Sequence, residues 1–409
     1  MRLLVAAAPA RLGVRTGRRP VACRGSAYSG DVTRPLRDVS ARPDLLLGAL
    51  AAALDGSGPA VLPREDVRPD RPESDEVPAD VALVVHTSGS TGEPRGVMLG
   101  AAALRASASA TAARLSGPGQ WLLALPATHV AGVQVLVRSV LAGTTPVVLE
   151  PGPFRPAAFV AGAARMAPGT RYTSLVPTQL VRLLEDPAAT AALTGFDAVL
   201  LGGAATPGAL LAAARAAGVR VVTTYGMSET CGGCVYDGVP LDGVCLALED
   251  GRVTIAGPVL ATGYLGRPDL DAETFVVRDG VRRLRTADLG RIDRGVLTVL
   301  GRADDVIVTG GVNVAPAAVE DVVAALPGVA EVCVVGLPDD EWGQAVVAAV
   351  VPAGTPPTLE AVRAAVSAAL GSPSAPRRLV VLDQLPHRGP GKHDRRTLAL
   401  ALTDRRTTT

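Results

Sequence analysis

From residue 81 onward the chain alternates short β-branched and apolar runs with Ala-rich stretches, punctuated by Gly, Pro and polar clusters. Apolar runs bounded in this way read as strands, and the Ala-rich stretches between them as covering helices. The pattern predicts strands at 81–86, 121–125, 145–149, 172–176, 198–201 and 219–223, with helices at 101–115, 133–141, 159–166 and 207–217. Such alternation specifies an α/β fold with layered, mostly parallel sheets, whose ligands gather at the carboxyl ends of the strands. After residue 251 the texture changes to short strands and turns, as at 251–255 and 295–300. A new α+β pattern follows residues 301–305: a helix at 316–325, strands near 331–336 and 344–351, and a helix at 359–370. The expected organisation is a large domain over 1–303, with a shortened N-terminal region to about residue 80, and a small α+β C-terminal domain over 304–409.

Composition narrows the class. With 48% apolar and 19% charged residues in 409, the chain has enough apolar surface for more than one core. Forty basic against thirty-nine acidic residues leave a net charge of +1, so no general field attracts nucleic acid or an anionic membrane. An anionic ligand must then be held by local chemistry. The five cysteines are an odd number and scattered, which suits a reducing cytoplasm rather than a disulfide framework. Cys231 and Cys234 form a lone C-x-x-C without a second ligand pair. The arginine-rich first thirty residues, with no acid before Asp31, read as a frayed terminus or a misplaced start rather than a targeting segment, and no later stretch reads as a membrane span.

The strongest local signal is Thr87-Ser88-Gly89-Ser90-Thr91-Gly92-Glu93-Pro94-Arg95-Gly96, directly after an apolar strand. Glycines let a backbone approach an anion, convergent N–H groups meet phosphate oxygens, and the hydroxyls add donors. It fits a phosphate cradle, though not a Walker A loop, and a Ser/Gly-rich surface loop is the competing account. Four more segments bear on the choice. Tyr225-Gly226-Met227-Ser228-Glu229-Thr230 puts a ring and an acid at a strand's carboxyl end. Asp288 offers an isolated carboxylate suited to two ribose hydroxyls. Arg302 supplies a cation beside Asp304 at the domain boundary, and Lys392, the only lysine, sits in a Gly/Pro loop near the C-terminus.

In this order the segments resemble the adenylate-forming superfamily of acyl-CoA synthetases, adenylation domains and luciferases, over roughly residues 81–397. The resemblance implies that the Ser/Thr/Gly loop with Arg95 holds the ATP phosphates, that Tyr225, Gly226, Met227, Ser228, Thr230 and Arg302 contact the nucleotide, that Glu229 binds Mg²⁺, that Asp288 takes the ribose, and that Lys392 bridges acyl and phosphate oxygens during adenylation. It also implies that Gly202, Gly203 and Ala204 contact adenine and acyl group, and that Asp304 is the hinge on which a mobile C-terminal domain rotates. A carboxylate attacking the α-phosphate brings two anions together, so Mg²⁺ and a placed cation, Lys392 or Arg302, are what the chemistry demands. Arg95 stands where the family's loop usually has lysine, and the chain before Thr87 is shorter than in typical members.

A narrower resemblance begins at Leu125-Pro126-Ala127-Thr128-His129 and continues through YGMSETCGGCVY at 225–236. It points to the o-succinylbenzoate–CoA ligases of menaquinone synthesis, whose substrate carries one carboxylate to be activated and one to be recognised. Arg138, nine residues after His129, is the expected clamp for the second charge; sharing a pocket with His129 would require an irregular helix start. Expected co-substrates are ATP and coenzyme A with Mg²⁺, alongside a small carboxylic acid; nucleic acid and integral membrane association are not expected, and a homo-oligomer is left open. Another acyl- or aryl-CoA ligase, a stand-alone adenylation enzyme loading a carrier protein, and a non-catalytic nucleotide-binding protein are the alternatives.

Overall fold

The computed structural model describes residues 32–67, 76–88, 94–150, 152–387 and 393–404. Its first sheet begins with Thr33–Ser40 (β1), Ala60–Arg64 (β2), Glu76–Pro78 (β3), Val81–Ser88 (β4) and Pro94–Gly100 (β5), in the spatial order β5-β4-β2-β1-β3. The β1–β2 and β2–β4 pairs are parallel, whereas β4 and β5 form an antiparallel hairpin. The region before residue 81, expected only as a reduced remnant, thus supplies three strands and the helix Pro43–Asp55 (α1). β1 escaped the hydrophobic pattern because Leu36 alone of its eight residues is buried. α1 starts at Pro43 and stops at Gly56, whose φ of 87° ends the helix without steric cost.

The second sheet holds Gln120–Leu123 (β6), Val147–Val148 (β7), Arg171–Leu175 (β8), Ala198–Leu201 (β9), Val221–Met227 (β10), Gly232–Tyr236 (β11) and Val239–Pro240 (β12). Its order is β12-β11-β10-β9-β8-β6-β7, parallel from β10 to β7 and antiparallel beyond β10. The helices Ala101–Arg114 (α2) and Val130–Ala142 (α3) join α1 between the two sheets. One core there unites Leu46 and Leu50 of α1, Leu83 and Val97 of the first sheet, Leu104 and Leu136 of α2 and α3, and Trp121 and Leu200 of the second sheet. A second core, with Phe159, Phe196, Leu180 and Leu183, covers the other face of the seven-stranded sheet. Burial of each such large apolar side chain contributes about 1.5–3 kcal/mol.

Cys245–Glu249 (β13), Arg252–Ala256 (β14), Phe275–Arg278 (β16), Val281–Asp293 (β17) and Val296–Arg302 (β18) form an antiparallel third sheet, while Gly263–Tyr264 (β15) extends the first sheet beyond β5. After Arg302 the chain enters a separate sheet of Ile307–Thr309 (β19), Val312–Val314 (β20), Val329–Asp339 (β21), Gly343–Pro352 (β22) and Arg378–Val381 (β23). The helices Pro316–Ala324 and Leu359–Leu370 pack on one face of it, and Arg395–Asp404 on the other. Among the described residues, no helix is long and apolar enough to cross a membrane.

Candidate functional site

The β4–β5 hairpin carries the Ser/Thr/Gly segment. Its last ladder pairs are Thr87 with Arg95 and Ser88 with Pro94, and the Thr87 hydroxyl donates to the Arg95 carbonyl at 3.5 Å. Gly89, Ser90, Thr91 and Gly92 lie outside the described residues, as does Lys392.

Beside this hairpin, at the carboxyl end of β10, the chain turns through a 3-10 helix at Ser228–Thr230. Glu229 is half-buried there, and its Oε1 accepts a 2.7 Å hydrogen bond from the Tyr264 hydroxyl on β15. Among the described residues, its Oε2 accepts no hydrogen bond and faces the demand that a hard cation would meet. Burial holds the Tyr264 phenol well above its usual range; negative Glu229 adds to that, and the Arg95 guanidinium opposes it. Arg95 therefore lies within electrostatic reach of this pair.

Thr230, expected among the nucleotide contacts, has another task. It is fully buried, and its hydroxyl accepts from the Met227 N–H at 2.9 Å and donates to the Gly232 carbonyl at 2.7 Å. Those bonds hold the turn that carries Ser228 and Glu229. Cys231 follows in left-handed conformation, φ 52°, with its carbonyl accepting from Gln134 Nε2 at 2.6 Å and Ser107 Oγ at 3.2 Å. Both thiols of the C-x-x-C are buried and held protonated, Cys234 being pushed up to about 12 by desolvation.

Tyr225 reaches the other acid: its hydroxyl donates to Asp288 Oδ2 at 2.7 Å. Burial raises the Tyr225 phenol, and the Asp288 charge adds to the rise. Asp288 sits directly opposite Arg302 in the β17–β18 ladder, with Oδ1 3.7 Å from the guanidinium, which also meets Asp304 Oδ2 at 3.2 Å. The Asp288 N–H donates to Thr286 Oγ1 at 3.1 Å. Gly202 and Gly203 follow β9 one strand away, with Ala204 next. A Cβ on Gly202 would collide with Thr224 Oγ1, and Gly203 has a φ of 86°, so this turn admits close backbone approach.

α3 is a regular helix with His129 as its N-cap residue. The irregular start needed to bring His129 and Arg138 onto one face is absent from it. Arg138 instead shares a face with Gln134, one turn nearer the helix start. It is 7% exposed, its guanidinium lies 4.9 Å from the Trp121 ring centroid, and its only hydrogen bond among the described residues is a 3.5 Å donation to the Tyr236 hydroxyl. Among the described residues, Arg138 Nε is buried without a partner and no carboxylate pairs with the guanidinium. Desolvation lowers its pKa. A cavity of about 280 Å³ lies beside it toward the amino ends of β6 and β8, bordered by Thr111, Trp121 and Tyr172.

Tyr264, Thr286, Gln134 and Tyr236 were not singled out in the sequence. The signal available was scarcity: with only five tyrosines in the chain, each buried hydroxyl needs a specific partner.

The chain is similar to known proteins over most of its length. The sequence profile of the AMP-binding enzymes matches residues 37–277, and that of the AMP-binding enzyme C-terminal domain matches residues 318–392. A probable 2-succinylbenzoate–CoA ligase of Mycobacterium tuberculosis is 52% identical over 369 residues, covering 87% of this chain and 94% of the relative. The o-succinylbenzoate CoA synthetase of Bacillus subtilis, solved with its acyl-adenylate intermediate, superposes with a TM-score of 0.69 at 28% identity, over 86% of this chain and 80% of that one. The same enzyme with ATP and magnesium gives a TM-score of 0.68 at 27% identity, over 86% and 82%. The chain belongs to the family of AMP-binding enzymes.

Proposed function

We propose that this enzyme is an ATP-dependent acid–CoA ligase that activates o-succinylbenzoate as its acyl-adenylate and transfers the acyl group to coenzyme A, a step of menaquinone synthesis in the cytoplasm. The observation that carries the choice of acid is Arg138: a buried cation with no anionic partner among the described residues is costly unless a ligand supplies the charge. The substrate's ring carboxylate is such a ligand. The 52% identity to a probable 2-succinylbenzoate–CoA ligase supports the same acid.

In the first half-reaction the aliphatic carboxylate oxygen attacks the α-phosphorus of ATP, the bond to the β-phosphate oxygen breaks, and pyrophosphate leaves. In the second, the CoA thiol loses its proton, sulfur attacks the acyl carbon, and AMP leaves. Mg²⁺, when bound, neutralises charge on the phosphate oxygens, and Glu229 with its open Oε2 is the residue that would hold it. Asp288 accepts from the ribose hydroxyls, held in place by Tyr225 and Arg302. The backbone at Gly202–Ala204 frames adenine and acyl group, with His129 at the mouth of the acyl site. Lys392 supplies the cation between acyl and phosphate oxygens, and rotation at Asp304 withdraws it for thioester formation.

Pyrophosphate release with ATP, Mg²⁺ and CoA across aromatic and aliphatic acids tests this reading. The expected result is the highest kcat/KM for o-succinylbenzoate, with its CoA thioester as product. Preference for a monocarboxylate, or loading of a carrier protein in place of CoA, would overturn it.

A further inference from the structure

On the C-terminal sheet, remote in sequence from Glu229, lies a second group of ligating atoms. Glu331 on β21 faces His387 and His393, which form an antiparallel bridge with each other on either side of residues 388–392. One ligating atom from each of the three lies within 4.8 Å of the others, and the two imidazole centroids are 5.0 Å apart. We propose that Glu331, His387 and His393 bind a divalent transition-metal ion of the zinc type, with water in the fourth position.

Three observations carry the assignment. First, one of the three separations is close to that of a coordination shell. Tetrahedral zinc with nitrogen and oxygen ligands at about 2.0–2.1 Å sets its ligand atoms about 3.3 Å apart. His387 Nε2 and Glu331 Oε2 already stand 3.6 Å apart, and all three separations, within 4.8 Å, close onto an ion by side-chain rotation. Second, among the described residues the group is unsatisfied: Glu331 Oε2 and His393 Nδ1 are both buried without a hydrogen-bond partner. An ion pair between His387 and Glu331 accounts for two members and leaves the third imidazole idle. Third, the donor chemistry is selective. Two imidazoles with one carboxylate suit zinc, cobalt or nickel, whereas magnesium and calcium require oxygen ligands. Two of the chain's four histidines meet here, and exposed His387 gives the ion a path in.

The test uses the full-length enzyme, stripped with a chelator and titrated with Co²⁺ alone, then with Zn²⁺ as competitor. The expected result is one equivalent of Co²⁺ with the visible bands of a tetrahedral site, displaced by Zn²⁺. His393→Gln, Glu331→Gln and the pair His387→Gln with His393→Gln should each weaken binding by about tenfold or more. Circular dichroism and Tm in chelator establish that each variant folds, and Zn²⁺ should raise the Tm of the wild type but not of the double variant. Wild-type binding no tighter than that of the double variant would overturn the proposal. So would a sulfur-to-cobalt charge-transfer band, which would move the ion to a cysteine.

Discussion

Tyr264 donates its hydroxyl to Glu229 Oε1 at 2.7 Å, joining the outer strand of the first sheet to the turn after β10. A carboxylate fixed by one oxygen offers the other in a defined direction, which is how an outer ligand orients a metal-binding side chain. Tyr264→Phe keeps the ring against Phe275, 5.9 Å between centroids, and removes only the hydroxyl. The Mg²⁺ concentration for half-maximal pyrophosphate release should rise about 10- to 100-fold. An unchanged Mg²⁺ dependence would leave Tyr264 a packing role alone.

Lys392→Ala separates the half-reactions. The lysine is proposed to act only during adenylation, where charge accumulates between two anions. Acyl-AMP formation should fall by orders of magnitude, while supplied acyl-AMP still reacts with CoA at close to the wild-type rate. Equal loss of both steps would contradict alternation of the C-terminal domain.

Asp304 lies in the 3-10 turn Ala303–Asp305 between β18 and β19, its carboxylate held by Arg302. Proline there fixes φ near −65° and constrains Ala303 before it. Asp304→Pro should depress one half-reaction far more than the other, measured as pyrophosphate exchange against thioester formation from acyl-AMP. Equal rates in both would place the hinge elsewhere.

Arg138→Ala decides the acid. Without the guanidinium, a desolvated ring carboxylate is left unpaired, a loss of roughly 2–5 kcal/mol in kcat/KM for the dicarboxylate. An analogue lacking the ring carboxylate should be a poor substrate of the wild type and lose little more in the variant, since the cycle isolates the pair. Arg138 also borders the cavity toward the amino ends of β6 and β8. If it serves that side or the fold instead, both acids lose activity by the same factor.

Much of this was legible in one sequence because strand and helix periods are local. The predicted strand at 81–86 and helix at 101–115 correspond to Val81–Ser88 and Ala101–Arg114, and the helix at 359–370 to Leu359–Leu370. β1 was missed because its TRPLRDVS carries charge where a buried strand would carry apolar residues. The acids Glu229 and Asp288 and the ring of Tyr225 were visible as motif residues, but Tyr264 was not, and neither were the pairings of the two acids with their tyrosines. Tyr264 and Glu229 are 35 positions apart and Tyr225 and Asp288 63, and only the folded sheets bring each pair within a hydrogen bond. Thr230 is the opposite case: beside a motif acid its hydroxyl reads as a ligand donor, and the fold also buries it and bonds it to Met227 and Gly232.

α3 presents Val130, Gln134 and Arg138 in succession along one side, each about 6 Å further down the axis. Gln134 grips the Cys231 carbonyl, two residues beyond Glu229, so that graduation is tied to the reaction centre. On the proposed reading the helix is a measuring rod. A dicarboxylate with a shorter or longer aliphatic arm has the same two charges, yet delivers the second to the wrong mark, and selection falls on reach rather than on charge.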